Sequence, residues 1–197
     1  MSTTIHSKES ETNTMNKFDR FMKNNNINRL DLEDVIYQSF LLTIFQEIVQ
    51  KLEKSNIEKA LFKSKLRNTR NHKEEIMELD RFIKDKVGLV ALESDELHRL
   101  LMLFKAYLTK SNSRRNISTE RKRELLQQQN SRCVFCDNNI TLESCNIDHI
   151  IPFKYVGDEL INNTQGLCQN CNGSKSAKLI HLMELFLRNR KISSKAL

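Results

Sequence analysis

Cys133-Val134-Phe135-Cys136 and Cys168-Gln169-Asn170-Cys171 are two Cys-x-x-Cys pairs. Each pair can close two thiolates onto one ion, and together they supply the four soft ligands of a tetrahedral structural zinc site. The chain between them is longer than the roughly 15–20 residues of a plain zinc ribbon, so something is inserted between the knuckles. The insertion carries Asp148-His149 and Asn163, and Asn172 and Lys175 follow the second pair. Imidazole titrates near neutral pH, which makes His149 the candidate general base for taking a proton from water. On a strand, its neighbour Asp148 would point to the opposite face unless the strand twists or ends there.

Taken in order, Cys133-x-x-Cys136, Asp148-His149-Ile150-Ile151-Pro152, Asn163-Thr164-Gln165 and Leu167-Cys168-x-x-Cys171-Asn172-Gly173-Ser174-Lys175 resemble the signature of the HNH endonuclease family. The resemblance covers about the last third of the chain, and nothing before Asn130 contributes. It implies a zinc-stapled ββα-metal fold and hydrolysis of DNA phosphodiester bonds. It also implies Asp148 and Asn172 as ligands of a catalytic divalent metal, with Asn172 in place of the family's final His. Both offer oxygen, which suits magnesium or manganese. Asn163 resembles the middle Asn, which orients the catalytic His across the hairpin. Lys175 matches the family's Lys and would meet a phosphate, or be a solvated lysine. Arg132, Lys154 and Lys178 are further candidates for nucleic-acid contact. Thr164 and Gly166 depart from the apolar residues usual at their positions, which touches hairpin packing more than chemistry.

The rest of the chain must position these residues. Four Gly and a single Pro favour helices, ten Phe compensate for the absent Trp, and the apolar content supports a core. No apolar run reaches the roughly 18–20 residues that span a bilayer, and the first ten residues lack the apolar stretch of a signal peptide, so a cytoplasmic protein is expected. Paired cysteines fit a reducing compartment, and the odd one, Cys145, reads as a small, partly buried hydrophobe on a strand. The net charge of +7 is uneven: residues 1–109 hold 18 Lys+Arg against 17 Asp+Glu, residues 110–197 hold 14 against 8. An excess of positive charge beside the motifs favours a polyphosphate partner by counterion release, although basic surfaces also serve solubility.

Residues 1–28 are Ser-, Thr- and Asn-rich and read as largely disordered, with a short helical turn near Phe18, Phe21 and Met22. Residues 29–109 read as a helical domain. Its first helix is marked by Leu32, Val35, Ile36, Phe40, Ile44, Ile48 and Leu52, with Leu41, Leu42, Phe45 and Val49 broadening the face and Asp31 as the expected cap. A basic helix around Ile57–Leu66 follows, then one from Ile76 to Gly88, then one capped by Ser94 or Asp95 with Leu97, Leu100, Leu101, Phe104 and Leu108 on one face. Leu89 to Leu92 reads as an apolar connector. His6, His72, His98 and His181 lack ligand partners at metal spacing and read as surface residues. Residues 110–117 are polar and basic and read as a linker. Residues 118–197 hold the HNH unit, with Ser118 capping its first helix and a final helix expected to run to about Arg190 with Leu179, Leu182, Met183 and Phe186 inward.

The expected architecture is therefore mainly α with a small α+β domain. The expected function is a metal-dependent endonuclease, of restriction or anti-phage defence type. The alternatives are a nuclease effector subunit controlled by a partner such as an ATPase, or a non-catalytic zinc-stapled nucleic-acid-binding module. The N-terminal helices would serve a homodimer or a regulatory partner. No Gly-rich phosphate loop is present in the chain itself.

Overall fold

The computed structural model describes residues 17–24, 26–88 and 91–179. The elements run in the order α1 (Lys17–Asn24), α2 (Arg29–Lys54), α3 (Asn56–Arg67), α4 (His72–Val87), α5 (Ser94–Thr109), α6 (Thr119–Gln128), β1 (Asn146–His149), α7 (Phe153–Val156), β2 (Thr164–Leu167) and α8 (Gln169–Lys175). Among the described residues the protein is mostly helical, with one two-stranded antiparallel sheet in its C-terminal region. No described helix is long and apolar enough to cross a membrane.

Side chains with an acceptor oxygen start most of the helices. Asn28, not Asp31, caps α2, accepting the Leu30 N–H at 2.9 Å, while Asp31 sits in the first turn. Ser55 ends α2 and caps α3, and Asn71 caps α4. Gly88 closes α4 in the left-handed region (φ 72°), as its position predicts. For α5 the cap is Glu93, one residue before the expected Ser94 or Asp95, because a Glu at the third helical position, Glu96, reaches back to the Glu93 N–H at 2.5 Å. Ser118 caps α6 as expected.

Helix α2 is the spine of the helical part, packed by α3, α4 and α5. Its buried face runs through Leu32, Val35, Leu41, Leu42, Ile44, Phe45, Ile48, Val49 and Leu52. Ile36 and Phe40, which share the sequence's three- and four-residue periodicity, are instead about half exposed at 50% and 47%. A 26-residue helix with an apolar girdle this wide cannot turn every apolar residue toward neighbours that lie on one side. Aromatic rings fill the centre: Phe45 lies 5.0 Å from Phe104, and Phe62 stacks on Phe82 at 3.9 Å.

The helical part and the C-terminal part share one core. Tyr155 of α7 meets the edge of Phe45 at 6.2 Å, and α7 packs along α5. Residues 110–118 form no helix or strand, yet they lie against the α7 loop: the Lys110 ammonium donates to the Lys154 carbonyl. Helix α8 ends at Lys175, where Ser176 turns to φ 49°, so no single helix continues from Cys171 through this point. Leu179 is buried, while the rest of the expected inward face (Leu182, Met183, Phe186) lies outside the described residues, as do residues 1–16 and the Leu89–Val90 part of the connector.

Candidate zinc centre and hairpin site

The sulfurs of Cys133, Cys136, Cys168 and Cys171 all lie within 4.8 Å of one another. The Cys136 and Cys168 sulfurs are 3.8 Å apart, the edge expected when four thiolates surround an ion at about 2.3 Å. The first knuckle is a tight turn in which Cys133 N–H donates to Asn138 O at 2.9 Å and Asp137 N–H to Cys133 O. The second opens α8: Cys168 is its cap and Cys171 lies in its first turn. Burial raises the Cys133 thiol, but N–H donors led by that of Cys168 outweigh it and bring it down to about 7. Burial and the neighbouring thiols push Cys171 well up. Four thiolates this close repel one another, so a cation among them is what this cluster fits.

Gly166 shows why the hairpin tolerates a glycine where an apolar side chain was expected. Its N–H donates to Gln129 Oε1 at 2.7 Å and its carbonyl accepts from Gln129 Nε2 at 3.0 Å. An added Cβ would lie 3.1 Å from the Cys145 sulfur and 3.2 Å from Gln129. The first knuckle is tied to the same carbonyl through the Val134 N–H, so α6, the knuckle and β2 meet at one residue. Cys145 is fully buried there and stands one residue before β1, not on the strand itself, since its thiol packs against Gly166.

Strands β1 and β2 pair with Asp148 opposite Gln165 and His149 opposite Thr164. Alternation sends the two side chains of the Asp-His dipeptide to different partners. Asp148 Oδ2 accepts from Lys175 Nζ at 2.8 Å and Gln165 Nε2 at 3.2 Å. His149, the last residue of β1, has Nε2 2.7 Å from Asp158 Oδ1 and lies edge-on to Phe153, ring centres 5.5 Å apart. Asp158 Oδ2 accepts the Arg115 N–H at 2.8 Å. Burial pushes the Asp158 carboxyl up, but the Arg115 amide and the His149 ring outweigh it and hold it below the usual carboxylate range.

Asn163 is buried and brackets the residue two past His149. Its Oδ1 accepts from Ile151 N–H at 2.7 Å, its Nδ2 donates to Ile151 O at 2.9 Å, and its own carbonyl accepts from Ile150 N–H. It therefore pins the strand's exit across the hairpin through the backbone of Ile150 and Ile151. Asn172 is half-buried on α8, one turn ahead of Lys175. Lys175 itself is 1% exposed and turned inward, its ammonium bonded to His149 O at 2.7 Å as well as to Asp148. It does not face solvent, as a phosphate contact would require, because the Asp148 carboxylate and the free strand-end carbonyl draw it under the sheet. Arg132 is half exposed and tied to Asp137 by its guanidinium, and Lys154 and Lys178 are exposed.

Sequence reasoning assigns no role to Asp158 or Gln129, and Gln165 enters it only as part of the Asn163-Thr164-Gln165 signature. No ligand spacing marks them; Asp158 follows Gly157 in what reads as a turn, and its role depends on the loop folding back on β1. His72 and His98 are exposed as read, but they are not isolated: His72 Nε2 lies 3.0 Å from His98 Nδ1, and Glu75 bonds the other His72 nitrogen. His6 and His181 lie outside the described residues.

The HNH endonuclease family model matches residues 133–178, from the first cysteine of the cluster to just past α8. The C-terminal region thus carries the HNH signature, and helices α1 to α6 lie outside the match. Neither a curated protein nor a solved structure matches the chain.

Proposed function

We propose that this protein is a metal-dependent HNH endonuclease that hydrolyses DNA phosphodiester bonds. The observation that carries the reading is the hairpin: at the end of β1 a His is held by a carboxylate through Nε2, beside an Asp facing the helix that bears Asn172. A zinc staple alone needs neither. With Nε2–H donated to Asp158, the His149 ring keeps Nδ1 to accept a proton from water. Asp148 keeps Oδ1 beyond its bonds to Lys175 and Gln165, and that oxygen with the amide oxygen of Asn172 is a hard donor set. Magnesium or manganese bound there would supply positive charge for the phosphate and the departing oxygen. Lys175 holds Asp148 and the His149 carbonyl in place, and Asn163 fixes the strand end that both side chains leave from. The four cysteines hold zinc as a structural ion.

On this reading residues 118–197 are the nuclease unit and residues 29–109 a helical unit for dimerisation, DNA or partner docking, joined by residues 110–117. Arg132, Lys154 and Lys178 are the candidates for phosphate contact. The test is plasmid cleavage with magnesium or manganese. Chelation that leaves the thiolate zinc in place should abolish cutting and added metal restore it. His149→Ala should fold, keep zinc and cut at least ~100-fold more slowly, whereas Asp148→Ala should be inactive but partly rescued by more metal. Cutting by His149→Ala at the wild-type rate would remove the assignment and favour a binding module.

A further inference from the structure

The segment between α5 and α6 is strapped across the loop that reaches the imidazole, and it meets that loop at several points. The Lys110 ammonium donates to the Lys154 carbonyl. Gly157 lies so close beneath that a Cβ there would be 2.9 Å from Lys110 Cβ and 3.4 Å from Ser111 O. The Arg114 guanidinium sits over the Phe153 ring at 4.9 Å, and Phe153 in turn lies against His149. The Arg115 N–H donates to Asp158 at 2.8 Å, and Asp158 takes the His149 Nε2 at 2.7 Å. Asp158 and Phe153, which both touch the imidazole ring, are thus held from outside by consecutive residues of one strap.

We propose that Asp158 is the positioning residue for His149, and that the strap sets it through the backbone amide of Arg115. The inference rests on His149 being the general base. Asp158 reaches no reacting atom; it selects the tautomer with hydrogen on Nε2 and leaves Nδ1 as the ring's acceptor. Two bonds to its two oxygens define it: one fixes the ring, the other fixes the carboxylate. Because the strap leaves directly from α5, a shift of the helical unit has a short path to the ring, through one amide and one carboxylate.

Partners that orient a metal-bound imidazole contribute about 10–100-fold to activity, and a loss of at least that order is expected where the imidazole is the base. In the zinc-loaded full chain, Asp158→Ala should lower kcat by at least that order, with KM and zinc content close to wild type. Asp158→Asn keeps one acceptor oxygen and should recover part of the loss. In a His149→Ala background, Asp158→Ala should add nothing, since the two act as one unit. A rise in KM at unchanged kcat, or losses that simply multiply in the double variant, would overturn the proposal. The ring nitrogen signals of His149, assigned by their absence from His149→Ala, give a readout that needs no cutting. Wild type should show hydrogen on Nε2, and Asp158→Ala should lose that preference. A wild-type ring carrying its hydrogen on Nδ1 would overturn the proposal even in an active nuclease, while a protein with the expected tautomer that cuts no DNA would refute the nuclease reading alone.

Discussion

Lys175 shows how one side chain changes meaning once its surroundings are known. Three residues after Asn172 on a helix, it can be drawn toward solvent and a phosphate or toward the sheet, and spacing is the same for both. The structure turns it inward, where its ammonium joins Asp148 Oδ2 and the His149 carbonyl. Lys175→Met would keep most of the volume but leave a mostly buried carboxylate without its charge partner. Breaking a buried pair from one side costs roughly 3–5 kcal/mol, and the 17% exposure of Asp148 places the expected loss near 3 kcal/mol. A urea titration of the zinc-loaded protein reads this directly, and an unchanged midpoint would mean that the pair does not hold the hairpin to α8.

At the scale of elements, the loop from Phe153 to Glu159 does the positioning, and Gly157 permits its shape. The residue has φ 60° and ψ −142°, a region that essentially only glycine enters, with the strap pressed on the position a side chain would occupy. Gly157→Ala combines backbone strain of about 1–3 kcal/mol with a steric push against Lys110. The expected result is a lower melting temperature together with slower cleavage, at unchanged zinc content, because the loop carries Phe153 and Asp158 but no cysteine. Full activity and stability in Gly157→Ala would show that the strap does not press on this loop.

For the whole molecule, the four-cysteine cluster and the helical core are one system. The cluster joins the first knuckle to the start of α8, Gln129 at the end of α6 bonds Gly166 of β2, and α7 carries Tyr155 from that unit onto Phe45 of α2. A structural zinc site contributes on the order of 10 kcal/mol to folding, so Cys168→Ser should lose zinc and unfold the C-terminal unit. The shared core adds a consequence: the helices should melt earlier as well, since α5 loses the surface it packs against. Circular dichroism and metal analysis on the same sample would check both. A Cys168→Ser protein that kept its zinc and its melting temperature would refute the site.

The sequence by itself determined the features that depend on local spacing or composition. The two Cys-x-x-Cys pairs, the Asp-His dipeptide, the four long helices of residues 29–109, the helix-ending Gly88 and the Ser118 cap are all local, because a knuckle, a helical face or a cap is specified within a few residues. Tertiary structure decided what depends on which surface is covered. Ile36 and Phe40 have the periodicity of core residues and lose it only because the packing helices lie on another side of α2. Glu93 and Asn28 took caps that Ser94, Asp95 and Asp31 could equally have filled, since several neighbouring oxygens compete for the same N–H groups. Asp158 and Arg115 are 43 residues apart and meet only because the strap and the α7 loop fold onto the same end of β1. No spacing rule within the chain predicts such a pair, for its geometry is set by the packing of the two units against each other.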